Sequence, residues 1–435
     1  MLWPFAGQAE DLLEIFQLAL QRDPLYASAQ ASHKADQEAL PQARAQLLPH
    51  INVQAAAQTT DVRRASGLQH AQSQREAAWS LSLTQPIIDL GAWDQLRQSE
   101  FIVESANLYE RQAYQDLILR VSQAYFDVLS VNETLRALQA QKKAANTQLE
   151  RAKRAFELGG ATVTDIYETQ ARLDLIHANE IQVKTDLQTA LDALEKITGS
   201  RPTTLAELPY NVRLPEPEPA NPSRWTQQAA QSNFIALQAL LATKIVQKQI
   251  DIAKSEHYPR VDLYAQTGTA SNRGIHGPNT QPRSLDSSVG LQLSIPIFSG
   301  GGVSSRVREQ TSRLQQSRYD YEAAKRQAIN EAQLHFANVQ SGLAQIKVLE
   351  AAKKSSEESL RANQTAYEIG VRDNMDVLDA MQQVYDTQRD LSHARHHTLL
   401  SGLYLKASSG LLSEDDVLAI NQLLQPVAKA SDSSS

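Results

Sequence analysis

The sequence contains no cysteine among its 435 residues, which excludes disulfides, thiolate chemistry, cysteine-ligated zinc and a lipid-bearing N-terminal cysteine. Aromatic residues make up only 6%, and glycine and proline are scarce, so the composition is that of long helices and not of a compact β-sandwich. The formal net charge of −7 shows no basic excess, which argues against a nucleic-acid partner. No apolar run reaches the roughly 18 residues of a transmembrane helix.

The first nine residues end in Gly7-Gln8-Ala9, which resembles the small-residue end of a signal-peptide cleavage site. The residues before this segment lack a basic region and a full apolar region. We therefore expect residues 1–9 to be the remnant of an export signal. An ordinary cytosolic chain start is the alternative.

An internal repeat is the most informative feature of the sequence. Three pairs of segments match at an offset of 210 or 211 residues: 48–53 with 258–263, 81–87 with 291–297, and 155–159 with 366–370. A duplicated unit explains a nearly constant offset over such a distance. The predicted organisation is a first repeat over 10–199, a proline-rich linker over 200–222, a second repeat over 223–409, and a C-terminal segment over 410–435 whose last residues are disordered.

Each repeat is predicted to contain one very long helix, over 92–158 and over 303–369. In the first, stripe positions recur at alternating spacings of three and four from Tyr114 to Phe156, and Lys142 is the only lapse from apolar character. This 3.5-residue period predicts left-handed coiled-coil packing, and each helix would be about 100 Å long. Shorter helices are predicted over 11–47, 163–198, 223–257 and 375–408, and a short one within 410–425.

Each repeat also contains two segments of about ten residues in which apolar and polar side chains alternate. The predicted apolar face carries Ile51, Val53, Ala55, Ala57, Trp79, Leu81, Leu83, Val261, Leu263, Ala265, Val289, Leu291, Leu293 and Ile295. Long loops are predicted at 59–76 and 268–286, and Pro86 and Pro296 are predicted to end the outgoing strands. The pattern is typical of membrane-spanning strands, but a soluble sheet that caps a coiled coil would show it too.

Signatures of catalysis are absent: the sequence has no Walker A motif, no HExxH and no GxSxG. Residues 299–302 are glycine-rich but lack the Lys-Ser/Thr of a phosphate loop, so we interpret them as a turn. His393 and His397 share a helix face beside His396, but no third ligand is evident, which favours a solvated face over a metal centre. We expect no enzyme, no cofactor and no metal centre.

An acidic stripe follows the second long helix. Gly370 is predicted to be the left-handed cap of that helix, after which a new helix returns antiparallel to it. The stripe has a 3,4,3,4 spacing and consists of Asp376, Asp379, Gln383, Asp386 and Asp390. Opposite it lies an apolar face of Met375, Leu378, Met381 and Tyr385. The spacing alone leaves open whether this is an ordinary solvated face or a functional surface.

These features resemble the TolC-type outer-membrane efflux channels, from Glu10 to about Pro426. The resemblance rests on the duplicated strand–strand–helix unit together with Leu48-Pro49, Gln85-Pro86, the glycine turn at 298–303, and the segment 125–129. The most specific match has the pattern Tyr367-x-x-Gly370-x-Arg372-x-x-x-Asp376-Val377-Leu378-Asp379-Ala380. Its counterpart in the first repeat is Leu158-Gly159 with Thr164-Asp165.

The resemblance implies a mainly α-helical fold with a membrane β-barrel: a homotrimer whose chains each give four strands to a twelve-stranded outer-membrane barrel and long helices to a coiled-coil α-barrel. It also implies a passive exit duct in the outer membrane of a Gram-negative bacterium, in contact with its lipid and with a large periplasmic part. Such ducts serve tripartite efflux or type I protein secretion. The implied partners are a periplasmic adaptor protein and an inner-membrane ABC exporter or proton-driven efflux pump.

The resemblance also assigns roles to residues. The implied constriction consists of Asp376 and Asp379, which could bind cations. The implied closing network consists of Thr164, Asp165, Tyr367 and Arg372.

Two other classes of protein would use the same long helices. One is a soluble coiled-coil scaffold, against which stand the four matched strands. The other is a periplasmic adaptor with a helical hairpin, against which stands the tandem duplication with strands in both halves.

Overall fold

The computed structural model of the protein describes residues 10–62, 72–160, 162–209, 212–274 and 284–425. The elements within these ranges are α1 (Leu12–Arg22), α2 (Pro24–Gln37), α3 (Ala39–Ala45), β1 (His50–Val62), β2 (Gln72–Ile88), α4 (Leu90–Glu157), α5 (Val163–Thr198), α6 (Pro222–Ser232), α7 (Phe234–Ser255), β3 (Arg260–Gly274), β4 (Ser284–Ser294), α8 (Gly302–Glu368), α9 (Asn374–Ser408) and α10 (Glu414–Asn421). Among the described helices, none has a stretch long and apolar enough to cross a membrane. The predictions for residues 1–9 and for the C-terminal tail lie outside the described residues.

The chain divides into two compact units. The helical unit comprises the described parts of Met1–Ala31, Tyr109–Leu237 and Ala323–Ser435, and the sheet unit comprises those of Ser32–Leu108 and Gln238–Glu322. Each unit therefore takes residues from both halves of the chain. The division into two repeats about the linker 200–222 stays a prediction.

The two predicted long helices are confirmed, because α4 and α8 begin and end within two residues of the predicted bounds. The helical unit also explains the lysine in the apolar stripe of α4. Lys142 donates a hydrogen bond of 2.7 Å to the buried carboxylate of Glu180 on α5, which also accepts one of 2.7 Å from Lys184. These two ammonium groups lower the pKa of Glu180 to about 2. The stripe tolerates Lys142 because α5 supplies a carboxylate for it.

The prediction of single short helices over 11–47 and 223–257 is wrong, because both segments are broken. In the first, Asp23 is extended and accepts a hydrogen bond from the amide three residues on, and Pro24 begins a new helix. A second break follows at residue 38. In the other segment, Asn233 is extended and its side chain again accepts from the amide three residues on. Local capping therefore interrupts helices that the apolar periodicity alone would continue.

The four strands form one antiparallel sheet in the order β1-β2-β3-β4. The register places the predicted apolar residues on one face, as in the rows Ile51–Leu83–Ala265–Val289 and Val53–Leu81. The polar residues share the other face, as in the row Asn52–Ser82–Gln266–Ser288. The predicted alternation is therefore confirmed.

The predicted length of about ten residues is confirmed for β4, which has 11 residues, and is wrong for β1, β2 and β3, which have 13, 17 and 15. They extend into the predicted loops at 59–76 and 268–286, of which only 63–71 and 275–283 lie outside the described residues. Backbone pairing continues there because it does not require an apolar side chain. Nor does Pro86 end its strand: β2 continues to Ile88 through an irregularity in register, whereas β4 ends before Pro296.

Candidate functional site

Two glycine turns end the long helices of the chain. Gly159 follows α4 and Gly370 follows α8, and both have a φ of +74°. A Cβ atom added at either position would meet open space, so the backbone conformation and not crowding favours glycine. The predicted left-handed cap at Gly370 is confirmed.

The helix that leaves each turn begins with a side-chain cap. At the start of α5, the Asp165 carboxylate accepts hydrogen bonds from the Thr162 amide at 2.7 Å and from the Thr162 hydroxyl at 3.0 Å. At the start of α9, Asp373 accepts from the amide of Asp376 at 2.9 Å. Asp165, a member of the predicted closing network, therefore completes a capping box within its own helix.

The first turns of α5 and α9 lie side by side within one chain. The buried Asn374 donates a hydrogen bond of 2.5 Å to the hydroxyl of Thr169. A small apolar cluster begins one turn further on and contains Ile176 and Leu378. The structure thus brings together the two segments that carry the predicted constriction and the predicted closing network.

Every carboxylate of the acidic stripe on α9 is paired with an arginine. The pairs are Arg372–Asp376 at 3.2 Å, Arg172–Asp379 at 2.5 Å, Arg389–Asp386 at 3.1 Å and Arg389–Asp390 at 2.9 Å. The stripe is therefore not an uncompensated acidic surface, and the exposure of Asp379 and Asp390 leaves open whether it is an ordinary solvated face or a functional surface. The guanidinium groups of Arg172, Arg372 and Arg389 compensate the negative charge of the stripe.

Arg372 and Asp165, two of the predicted network residues, have other partners in the single chain. Arg372 is exposed and pairs with Asp376, one turn along α9. Among the described residues, no hydrogen bond joins Arg372 to Thr164 or Asp165. Within the same ranges, none joins the half-buried Tyr367 to Asp165. The closing network stays a prediction.

The three histidines of α9 differ in environment. His393 and His397 are exposed, and within the described ranges no group of three or more acidic or histidine side chains is arranged to hold a metal ion. His396 is buried, with Nδ1 2.7 Å from the Ser130 hydroxyl and its ring stacked on Phe126. Burial lowers the pKa of His396 to about 3, so the ring packs as a neutral core side chain.

Sequence reasoning missed Arg172, Thr169 and Asn374, which together connect α5 to α9. A signal existed, because Arg172 follows Asp165 by seven residues and so lies on the same face of α5, two turns along. The signal was incomplete, since the sequence did not show that this face contacts α9.

The fold combines a four-stranded antiparallel sheet with two helices of 68 and 67 residues, each followed by a glycine turn and a further helix, which is the fold of the outer-membrane channel proteins. The chain belongs to the outer membrane efflux protein family, whose sequence profile matches residues 15–200 and 225–411. Family membership confirms the predicted location in the outer membrane of a Gram-negative bacterium and the predicted resemblance to efflux and secretion channels.

Individual relatives match over nearly the whole chain. Outer membrane protein TolC of Escherichia coli strain K12 is 31% identical over an alignment of 433 positions that covers 97% of this chain and 87% of TolC. The alkaline protease secretion protein AprF of Pseudomonas aeruginosa is 30% identical over an alignment of 413 positions that covers 93% of this chain and 85% of AprF. The crystal structure of the outer membrane protein VceC of Vibrio cholerae superimposes with a TM-score of 0.77 at 18% identity, over 92% of this chain and 96% of VceC. The structural similarity to VceC shows that the two proteins share a fold.

Proposed function

We propose that the chain is one subunit of a passive, trimeric exit duct in the outer membrane, and not an enzyme. The observation that carries the proposal is the exposed apolar face of the sheet. Val53, Val289 and Leu291 on this face are 72%, 74% and 68% exposed in the single chain. Membrane lipid would cover such a face, while the polar face would line water.

The edges of the sheet support association into a trimer. In the order β1-β2-β3-β4, the outer edges of β1 and β4 have no partner strand among the described residues. An open edge is not tolerated in lipid, and four strands are too few for a closed barrel. Three chains would supply twelve strands and close both edges.

Arginine substitutions on the two faces test this assembly. Leu81→Arg or Leu291→Arg places a charge on the proposed lipid face and should cost ~2–4 kcal/mol per chain. Gln292→Arg, one residue along β4 on the opposite face, is the matched control and should be tolerated. Light scattering in detergent should show a trimer for the wild type and the control. A monomeric wild type, or equal tolerance of arginine on both faces, would refute the assembly.

We propose that Asp376 and Asp379 form the constriction of the duct. Three-fold symmetry would turn each into a ring of carboxylates, and rings of this kind favour cations in a narrow pore. Single-channel recordings of Asp376→Ala and Asp379→Ala should therefore show weaker cation selectivity and weaker block by trivalent cations. Asp390→Ala, three turns further along α9, should behave as the wild type. Unchanged selectivity in both ring variants would rule out the constriction.

We propose that the closed state is held by Arg372 with Thr164 or Asp165, and by the Tyr367 hydroxyl with Asp165. Arg372 is exposed and can exchange its present contact with Asp376 for one of these acceptors. Each charge-assisted hydrogen bond would contribute on the order of 1.5–3 kcal/mol, and less where water reaches it. Three copies would make opening rare without a partner.

Opening would be driven by a periplasmic adaptor and an inner-membrane ABC exporter or proton-driven pump. Family membership supports efflux as the process, and the name of AprF supports protein secretion as a second candidate. Deleting the gene in its host and scoring both drug sensitivity and the secreted proteins distinguishes the two. A deletion strain unchanged in both would contradict either role.

A further inference from the structure

Arg172 forms a close ion pair with the proposed constriction. Its Nη2 atom lies 2.5 Å from Oδ1 of Asp379. The arginine side chain is 26% exposed and the aspartate side chain 65%, so the guanidinium is the more enclosed partner. The Nε atom of Arg172 is buried and has no hydrogen-bond partner among the described residues. Asp379 is therefore the acceptor that orients this guanidinium.

Contacts on both sides of Arg172 fix its position on α5. One turn before it, Thr169 accepts the hydrogen bond from Asn374 at the start of α9. One turn after it, Ile176 is buried in the apolar cluster with Leu378. Residues at these spacings share one face of a helix. The face of α5 that carries Arg172 is therefore held against the first turns of α9.

We propose that Arg172 is the counter-charge of Asp379 and sets the ion selectivity of the constriction, an inference that rests on the proposed function. Asp376 already pairs with Arg372. With Arg172 included, the two carboxylates that each chain gives to the constriction are matched by two guanidinium groups. The negative charge of the rings is therefore partly offset, and their cation selectivity depends on the arginines as well as on the more exposed aspartates.

The effect of Arg172 is expected on permeation and not on folding. An ion pair with a largely exposed partner contributes little to stability. In a narrow pore, however, three-fold symmetry triples the charge change, and the low polarizability of the protein walls strengthens its action on a passing ion. Arg172→Gln should therefore yield a folded trimer whose pore is more negative than that of the wild type.

The test is single-channel recording in a salt gradient, with hexaamminecobalt(III) as a trivalent blocker. Arg172→Gln should raise the cation-to-anion permeability ratio and lower the blocking concentration, each by about tenfold. Asp379→Asn should shift both quantities in the opposite direction. The double variant Arg172→Gln/Asp379→Asn removes both charges, so the two shifts should largely cancel.

Two controls separate the charge of Arg172 from its shape and from charge elsewhere. Arg172→Lys keeps the charge and should stay near the wild type. Arg201 lies beyond the C-terminal end of α5, about 40 Å from Arg172 along the helix axis, and pairs with Asp192. Arg201→Gln should change neither the permeability ratio nor the blocking concentration.

The outcomes distinguish this inference from the function on which it rests. If Asp379→Asn changes selectivity and Arg172→Gln does not, the constriction stands and the role of Arg172 is overturned. If neither variant changes selectivity, both the constriction and the role of Arg172 are overturned. Opposite shifts that cancel in the double variant support both.

Discussion

His396 should make the helical unit lose stability in mild acid. Its ring stacks on Phe126 at 5.2 Å between centroids, and its Nδ1 atom lies 2.7 Å from the Ser130 hydroxyl. Burial, with smaller effects from His393 and Arg395, lowers its pKa from 6.5 to about 3. The unfolded chain takes up a proton near pH 6.5 and the folded chain does not. The contribution of His396 to the free energy of unfolding therefore has its full value above pH 6.5 and falls as the pH decreases towards 3.

The magnitude follows from the width of this pH interval. One pKa unit corresponds to about 1.36 kcal/mol, so roughly 3 kcal/mol of stability should be lost from this group at about pH 4.5. His396→Gln stays neutral at every pH and loses the ring stacking, which should cost about 1–3 kcal/mol at about pH 8. Carboxylates titrate alike in both proteins and cancel in the comparison. The free energy of unfolding of the wild type should therefore fall by roughly 3 kcal/mol relative to that of the variant on acidification, which closes or reverses the gap between them.

The assay is guanidinium unfolding in detergent, followed by helical circular dichroism at the two pH values. His397→Gln is the matched control, since it removes the neighbouring, exposed histidine of the same helix. The control should keep the acid dependence of the wild type. A gap between wild type and His396→Gln that is equal at both pH values would refute the argument that burial keeps this ring neutral.

Two further predictions concern stability. Asp23 is buried and accepts hydrogen bonds of 2.8 and 3.0 Å from Arg120, so Arg120→Ala should lower the free energy of unfolding by about 2 kcal/mol; an effect below about 0.5 kcal/mol in chemical denaturation would contradict this. Gly370→Ala should lower the free energy of unfolding by about 1 kcal/mol, because the φ angle of Gly370 is +74°. Gly402 lies in the interior of α9 with open space for a Cβ atom, so Gly402→Ala should raise the free energy of unfolding by about 0.5–1 kcal/mol. Thermal unfolding that ranks these two glycine variants in the opposite order would count against the explanation.

The elements that could be predicted from the sequence are those with a sustained period. The stripe from Tyr114 to Phe156 predicted α4, and the alternation around Leu81 and Leu291 predicted the apolar face of the sheet. Such patterns repeat one packing requirement many times, so single exceptions such as Lys142 do not hide them. This is why the long helices were placed within two residues.

The breaks in the short helices could not be predicted in the same way. Asn233 ends α6 partly because its side chain donates a hydrogen bond of 2.9 Å to the carbonyl of Ser408, far away in the sequence. The ends of the strands were missed for a related reason, since polar residues continue a hairpin through backbone pairing. The break at Asn233 therefore combines a local cap with a contact to a distant segment, and the ends of the strands depend on pairing with a neighbouring strand.

The candidate site shows the same limit. The spacing of Asp376 and Asp379 identified them on one helix face. Arg172 compensates Asp379 from a position 207 residues earlier, so no local pattern connects the two. The carboxylates could be predicted from the sequence, but their charge balance required the packing of α5 against α9.

The most direct test of the account is the single-channel conductance of the wild type and of Arg372→Ser/Tyr367→Phe in planar bilayers. Tyr367 lies in the last turn of α8 and Arg372 in the segment between α8 and α9, so the substitutions should leave the packing of the long helices and the sheet intact, and both proteins should remain trimers. The account predicts a wild type with a low, cation-selective conductance and a double variant with a several-fold larger one, because the closing contacts are lost. A double variant that remains trimeric and conducts no more than the wild type would contradict the proposal that these residues close the duct.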